Sequence, residues 1–204
     1  VQTCALPIYM ALLDVQVAAL ANQAANYLVS GQPPGRLGNA HPNIVPYQSF
    51  ATHDGYIIVA VGNNNQFERL CQLLQLPDLP RDERFRENED RVMNRQALAT
   101  QLQAELQKAD SATWLDRLRD AGVPCGPINA IDETFAEPQV EARGLKIDVS
   151  GVPGVASPIR LSRTPVQYHQ PPPHLGEHTR DVLQQELGLS AEAIDAYLAE
   201  GVIA

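Results

Sequence analysis

The chain has 204 residues, 44% hydrophobic and 19% charged, enough apolar material for one large domain or two small ones in a soluble globular protein. A net charge of −9 and a pI near 4.9, with only Lys108 and Lys146 as lysines and no basic cluster, exclude nucleic acid as a partner, since phosphate binding needs a basic face. The longest apolar stretches, such as residues 56–61, are far too short to span a bilayer, and no signal-peptide pattern opens the chain, so no membrane partner and a cytoplasmic location are expected.

Residues 1–8 (VQTCALPI) have neither helical nor strand period and are set aside as a non-native scar. Residues 9–30 are alanine-rich and apolar around most of a helical girth, which predicts one long helix buried between other elements. Residues 31–46 make a sixteen-residue loop with four prolines and three glycines, a length that marks a linker or a functional segment. A hairpin follows, with strands over 47–52 and 56–61 and a His53-Asp54-Gly55 turn in which Gly55 can take positive φ. Its second strand is apolar throughout, which predicts cover on both faces.

Gly62 to Asn65 reads as a capping turn rather than a phosphate cradle, because the repeated glycines of nucleotide motifs are missing. The helix behind it, over 66–74, carries Phe67, Leu70, Cys71 and Leu74 in one stripe. A polar segment over 77–95 leads to a helix over 95–107, capped by Asn94 or a neighbour. A further helix over 111–120 starts at Asp110 or Ser111, stops at Gly122 and places Trp114 in the core. Short strands are expected over 145–149, 156–161 and 165–168. After the stiff Pro171-Pro172-Pro173 connector come two helices, over 177–186 and 191–200, the first capped by Glu177 or Thr179. The three cysteines, Cys4, Cys71 and Cys125, are odd in number and lack ligand spacing, so neither a disulfide framework nor a metal site is expected. Cys125 reads as a small buried filler.

Six landmarks occur in order: ALLD (residues 11–14), GNAHPNIVPYQSF (38–50), DGYIIVAVGNNNQF (54–67), AGVPCGPIN (121–129), FAEPQV (135–140) and PHLGEHTRDVL (173–183). With them the chain resembles the C-terminal half of the class III CoA-transferase family, the formyl-CoA and carnitine CoA-transferase relatives, and most of all those that transfer CoA from succinyl-CoA to glutarate or a related dicarboxylate. The resemblance implies an α/β fold built from the end of a large Rossmann-like domain with its linker (9–46), an inserted small α+β domain (47–148) and a segment returning to the large domain (149–204). It also implies an interlocked homodimer, with an acyl-CoA and a carboxylic acid as substrates and no cofactor beyond the coenzyme A thioester itself.

The family works through a nucleophilic aspartate that lies upstream of the ALLD landmark, so the chain is expected to lack it and to be inactive alone. Asp14 belongs to the landmark and is not that nucleophile. A carboxylate is needed because it forms an anhydride with the donor acyl group, and CoA thiolate then converts the anhydride to an enzyme thioester. A glycine-bearing loop that shields these intermediates from water is useful to such chemistry. By resemblance that loop falls within residues 36–41, where Arg36, Gly38, Asn39 and His41 are the substrate-binding candidates, Arg36 as a fork for an acceptor carboxylate. Two alternatives stay open at this point: an α-methylacyl-CoA racemase of the same fold, and a non-catalytic dimerisation module.

Overall fold

The computed structural model describes residues 9–203, so the expected scar over residues 1–8 lies outside the described residues. The chain divides into two compact units, Val1–Ile128 and Asn129–Ala204, with the boundary inside the 47–148 span.

In the first unit, the pattern expected to give one helix gives two, α1 (Leu12–Ala19) and α2 (Ala21–Ser30), separated where Ala21 takes φ +43°. Neither buries a residue, and Leu12 is 90% exposed, so the expected burial between other elements is not found among the described residues. A helix apolar on every side needs partners on every side. Gly31, at φ +70°, ends α2 as a left-handed cap, its N–H donating to Tyr27 O.

The hairpin strands β1 (Tyr47–Ala51) and β2 (Tyr56–Ala60) are extended by a third, β3 (Cys125–Pro127), in an antiparallel sheet of order β1-β2-β3. Along β2, Ile57 and Val59 are buried while Tyr56 and Ile58 are exposed, so one face is covered and not two. Gly55 does not take positive φ either. Asp54 shapes the turn instead: Oδ1 accepts from Ser111 N at 2.8 Å and from the Ser111 and Thr52 hydroxyls at 3.0 Å. These donors hold its carboxyl below the ordinary value of 3.8, the Ser111 N–H most of all.

Four helices complete this unit: α3 (Asn64–Leu73), α4 (Asn88–Met93), α5 (Arg95–Leu106) and α6 (Ser111–Asp120). Asn63 Oδ1 accepts from Gln66 N and Gln66 Oε1 from Gly62 N, so the GNNNQ segment is a reciprocal helix cap. Asp110 caps α6 through Thr113 N at 2.7 Å. Asn94 precedes α5 without capping it; its side chain donates back to Asp90 O and Arg84 O. Phe50, Ile57 and Val59 of the sheet join Phe67, Leu102 and Leu118 of the helices in one core, where Trp114 donates to Leu106 O at 2.7 Å.

One charge lies within that core. Arg91 of α4 is 1% exposed. Its Nε donates to Val45 O at 2.8 Å, Nη1 to Phe85 O at 3.0 Å and Arg86 O at 3.1 Å, and Nη2 to Asn64 Oδ1 at 2.9 Å. The guanidinium lies 4.5 Å from the Phe67 ring centroid. Asn64 passes the polarity outward, donating to Glu87 Oε2 at 2.7 Å.

The second unit holds α7 (Ile131–Ala136), α8 (Pro138–Ala142), a hairpin of β4 (Lys146–Val149) and β5 (Val152–Val155), α9 (Thr179–Gln185) and α10 (Ala191–Ala199). Pro138 restarts the helix at α8, where a missing N–H costs nothing. Ser150 and Gly151 both take positive φ, the two-residue turn that suits a right-twisted hairpin. Strands expected over 156–161 and 165–168 do not form; pairing is complete at Val155, and the prolines 158 and 165 withhold ladder donors. Glu177 accepts from His174 N ahead of α9, and Thr179 caps nothing. Ile194 is the one fully buried residue among those described in this unit.

Two outcomes follow. Arg91→Ala strands three backbone carbonyls in the core and is expected to lower unfolding stability by roughly 3–5 kcal/mol, with Arg91→Lys recovering little, as read from urea midpoints. Because the Asp54 carboxyl is held below its ordinary 3.8, its contribution is complete at neutral pH and is lost as pH falls through and below that value. Thermal midpoints measured from pH 7 down to 2.5 should therefore fall more steeply for the natural chain than for Asp54→Asn.

Candidate functional site

The loop between α2 and β1 runs back along the free edge of β1. With Thr52 N bonded to Gly55 O, the ladder faces of Gln48 and Phe50 turn toward β2 and those of Tyr47, Ser49 and Ala51 turn outward. All three are engaged. Tyr47 O accepts from His41 N at 2.8 Å, Ser49 N donates to Asn39 Oδ1 at 3.1 Å, and the Gln103 amide meets Ala51 N at 2.9 Å and Ala51 O at 2.7 Å.

Within the loop, Ala40 N closes a turn onto Leu37 O at 3.1 Å, with Gly38 at φ +62° as its first central residue. A Cβ there would meet nothing within 4 Å, so the backbone conformation, not space, calls for glycine. Asn39 is used up on both ends, Oδ1 on Ser49 N and Nδ2 on Ser49 Oγ. His41 is equally engaged: Nδ1 accepts from Asn43 N at 3.1 Å, Nε2 lies 3.1 Å from the Asn22 amide of α2, and the ring stacks on Tyr47 with centroids 5.3 Å apart. Gly38, Asn39 and His41 are thus brought together against β1. Arg36 stands just ahead of the turn, exposed, with no hydrogen-bond acceptor among the described residues. Of the four candidates it is the one whose donors are unspent.

The residues that fix this loop lie elsewhere in the chain. Asn88, Arg91 and Arg95 recur at i, i+3 and i+7 across the α4–α5 junction and so share a helical face. Asn88 donates to Asn43 O at 2.8 Å and accepts from Val45 N at 3.1 Å. Arg91 holds Val45 O, and Arg95 donates to His41 O at 3.1 Å and Pro42 O at 2.6 Å. Five backbone groups between His41 and Val45 are therefore held by three side chains. Sequence reasoning missed them because their periodicity is submerged in the polar run RDERFRENEDRVMNR; the helical spacing of Asn88, Arg91 and Arg95 was the available signal.

Other groups suited to chemistry are few. Burial pushes the Cys71 thiol up to about 12, and burial also raises Cys125, so neither is a ready thiolate. Cys125 is half-buried in β3 rather than fully enclosed. Asp14 is exposed in the first turn of α1. Among the described residues no group of His, Cys, Asp or Glu could hold a metal ion, and no helix is long and apolar enough to cross a membrane. What the site offers is an unpaired guanidinium beside a rigidly held turn, an arrangement that can grip a carboxylate through two parallel N–H donors.

Comparison with known proteins bears on this arrangement. The profile of CoA-transferase family III matches residues 6–179, beginning inside the segment set aside as a scar. The chain is 49% identical over 181 residues to the succinate–glutarate CoA-transferase of Agrobacterium fabrum, covering 86% of this chain and 45% of that protein. It is 41% identical over 199 residues to the succinyl-CoA:glutarate CoA-transferase of Mus musculus, covering 94% of this chain and 45% of that one. A crystal structure of a CAIB/BAIF family protein from Brucella suis matches with a TM-score of 0.73 at 47% identity, over 85% of this chain and 46% of the other. That likeness bears out the mixed α/β fold expected from the landmarks. The chain spans about half the length of the curated relatives it matches.

Proposed function

This chain belongs to CoA-transferase family III, and from that premise we propose that the protein it represents moves coenzyme A from succinyl-CoA to a dicarboxylic acid such as glutarate. The observation that carries the reading is the 49% identity, sustained over 86% of the chain, to a relative named for that reaction. The unpaired guanidinium of Arg36 beside the anchored turn supports it, since both acids leave a second carboxylate free at the far end of the acyl group.

The chemistry balances without a cofactor, the CoA thioester being a substrate. An aspartate carboxylate, supplied by the part of the enzyme that the relatives have beyond this span, attacks the thioester carbonyl of succinyl-CoA and expels CoA thiolate, leaving an acyl-aspartyl anhydride. The thiolate attacks the aspartyl carbonyl and releases succinate, leaving an enzyme thioester. Glutarate attacks that thioester to form a second anhydride and free the thiolate, which then takes the glutaryl group and restores the aspartate. Water must stay out while the anhydrides exist. In this reading Gly38, Asn39 and His41 form a stiff wall over the acyl group, and Arg36 holds its distal carboxylate. A homodimer in the cytoplasm is the proposed setting.

The test is CoA exchange between labelled succinyl-CoA and glutarate in the complete enzyme. Exchange is expected, together with a hydroxamate trapped on the protein by hydroxylamine; exchange is not expected from the 204 residues alone. Arg36→Ala should raise KM for glutarate by roughly ten- to a hundredfold, the worth of a charge-assisted bidentate contact. A complete enzyme that shows no exchange and traps no hydroxamate, or that instead inverts an α-methylacyl-CoA, refutes the reading.

A further inference from the structure

We infer that Arg95 is a positioning residue that sets the dicarboxylate preference of the site, acting through the backbone of His41 and Pro42. The inference rests on the function proposed above for residues 36–41.

The backbone from Leu37 to Val45 has two supports, while α2 reaches only side chains of the segment, Asn22 at the His41 ring and Asn26 at Asn43. On one side the edge of β1 holds it, through His41 N on Tyr47 O and the Asn39 amide on Ser49. On the other side the α4–α5 face holds it by its carbonyls. Asn88 and Arg91 secure the far end at Asn43 and Val45, beyond the turn. Arg95 alone reaches the near end, the two consecutive carbonyls of His41 and Pro42. Its guanidinium is half-buried and oriented by a third bond, Nε to Val92 O at 3.3 Å, so its plane is set before the loop docks.

Arg95 makes no ion pair among the described residues, so its donors serve the loop. Consecutive carbonyls gripped by one planar fork fix both position and direction of the chain, which a point charge cannot do. His41 N and His41 O face opposite supports, and the turn that carries Arg36 hangs from this residue through Ala40 N on Leu37 O. Releasing Arg95 leaves the His41–Pro42 backbone attached by the β1 edge, with only the His41 ring still reaching Asn22 of α2. A fork misplaced by about 1 Å loses most of its bidentate contact while leaving the rest of the acyl pocket unchanged. The predicted loss is therefore selective for acids with a second carboxylate.

The experiment compares glutarate with valerate, which has the same chain length but no distal carboxylate, as acceptors for the complete enzyme. Arg95→Ala is expected to lower the ratio of their kcat/KM values about tenfold, and Arg95→Lys to restore little of it. Leu98→Ala, one turn along α5 and fully buried, serves as the destabilised control and should leave the ratio unchanged. An Arg95→Ala enzyme that keeps the natural ratio, or one that merely matches the Leu98→Ala control, overturns the inference while leaving the proposed function standing. If the natural enzyme exchanges no CoA with glutarate, that function fails, and the clamp is judged in the 204-residue chain by amide hydrogen exchange. There His41 N should exchange about tenfold faster in Arg95→Ala than in Leu98→Ala at matched stability, and equal rates overturn the clamp as well.

Discussion

A guanidinium that cannot lose its proton, enclosed where water cannot reach it, dictates much of the first unit. Arg91 touches no carboxylate; burial alone depresses its pKa, and Glu87 and Asp90 oppose that only from a distance. Its acceptors are therefore carbonyls, and they have to be delivered by chain segments far apart in sequence: Val45 before β1, Phe85 and Arg86 before α4, and Asn64 at the start of α3. Each segment is free to fold only in a way that brings its acceptor to this point. The winding path of residues 77–90 serves that requirement while also placing Leu79 and Phe85 in the core. By contrast the ion pairs of the described residues, such as Arg84 with Asp82, are exposed and contribute little.

The three-stranded sheet with its helices is self-sufficient, with a continuous core from Val45 to Val123. The segments before and after it are not. α1 and α2 bury nothing, and the unit from Asn129 onward encloses Ile194 alone while leaving Val155, Ile159 and Leu187 in water. At about 25 cal/mol per Å² of apolar surface, these are areas whose stability depends on cover.

Elements with a local cause were legible in the sequence. The α3 stripe of Phe67, Leu70, Cys71 and Leu74 and the Asp110 cap of α6 depend on neighbours within a turn or two, and both stand where expected. Elements with a distant cause were not. β3 exists because Cys125 to Pro127 pairs with Ile57 to Val59, more than sixty residues away, and no local pattern announces it. The break at Ala21 is hidden in a run of good helix formers, and the turn at Gly55 is shaped by Asp54 and Ser111 rather than by a positive φ. At the candidate site, the turn and its glycine were located by the family resemblance of the landmarks, whereas the arginines that hold it were masked by the charged run around them.

Each outward-facing residue of β1 is bonded through its backbone to His41, Asn39 or Gln103, and the opposite edge strand is three residues long, preceded by Pro124 and ending in Pro127. Proline offers no N–H to an incoming chain, and an edge already bonded to side chains offers no vacant ladder. The three-stranded sheet is therefore a poor template for a fourth strand. A polypeptide that leaves so many leucines and valines in water would be a ready substrate for fibrillar stacking if its strands were open. In the first unit, association is thereby steered away from the sheet edges and toward helical and loop surfaces.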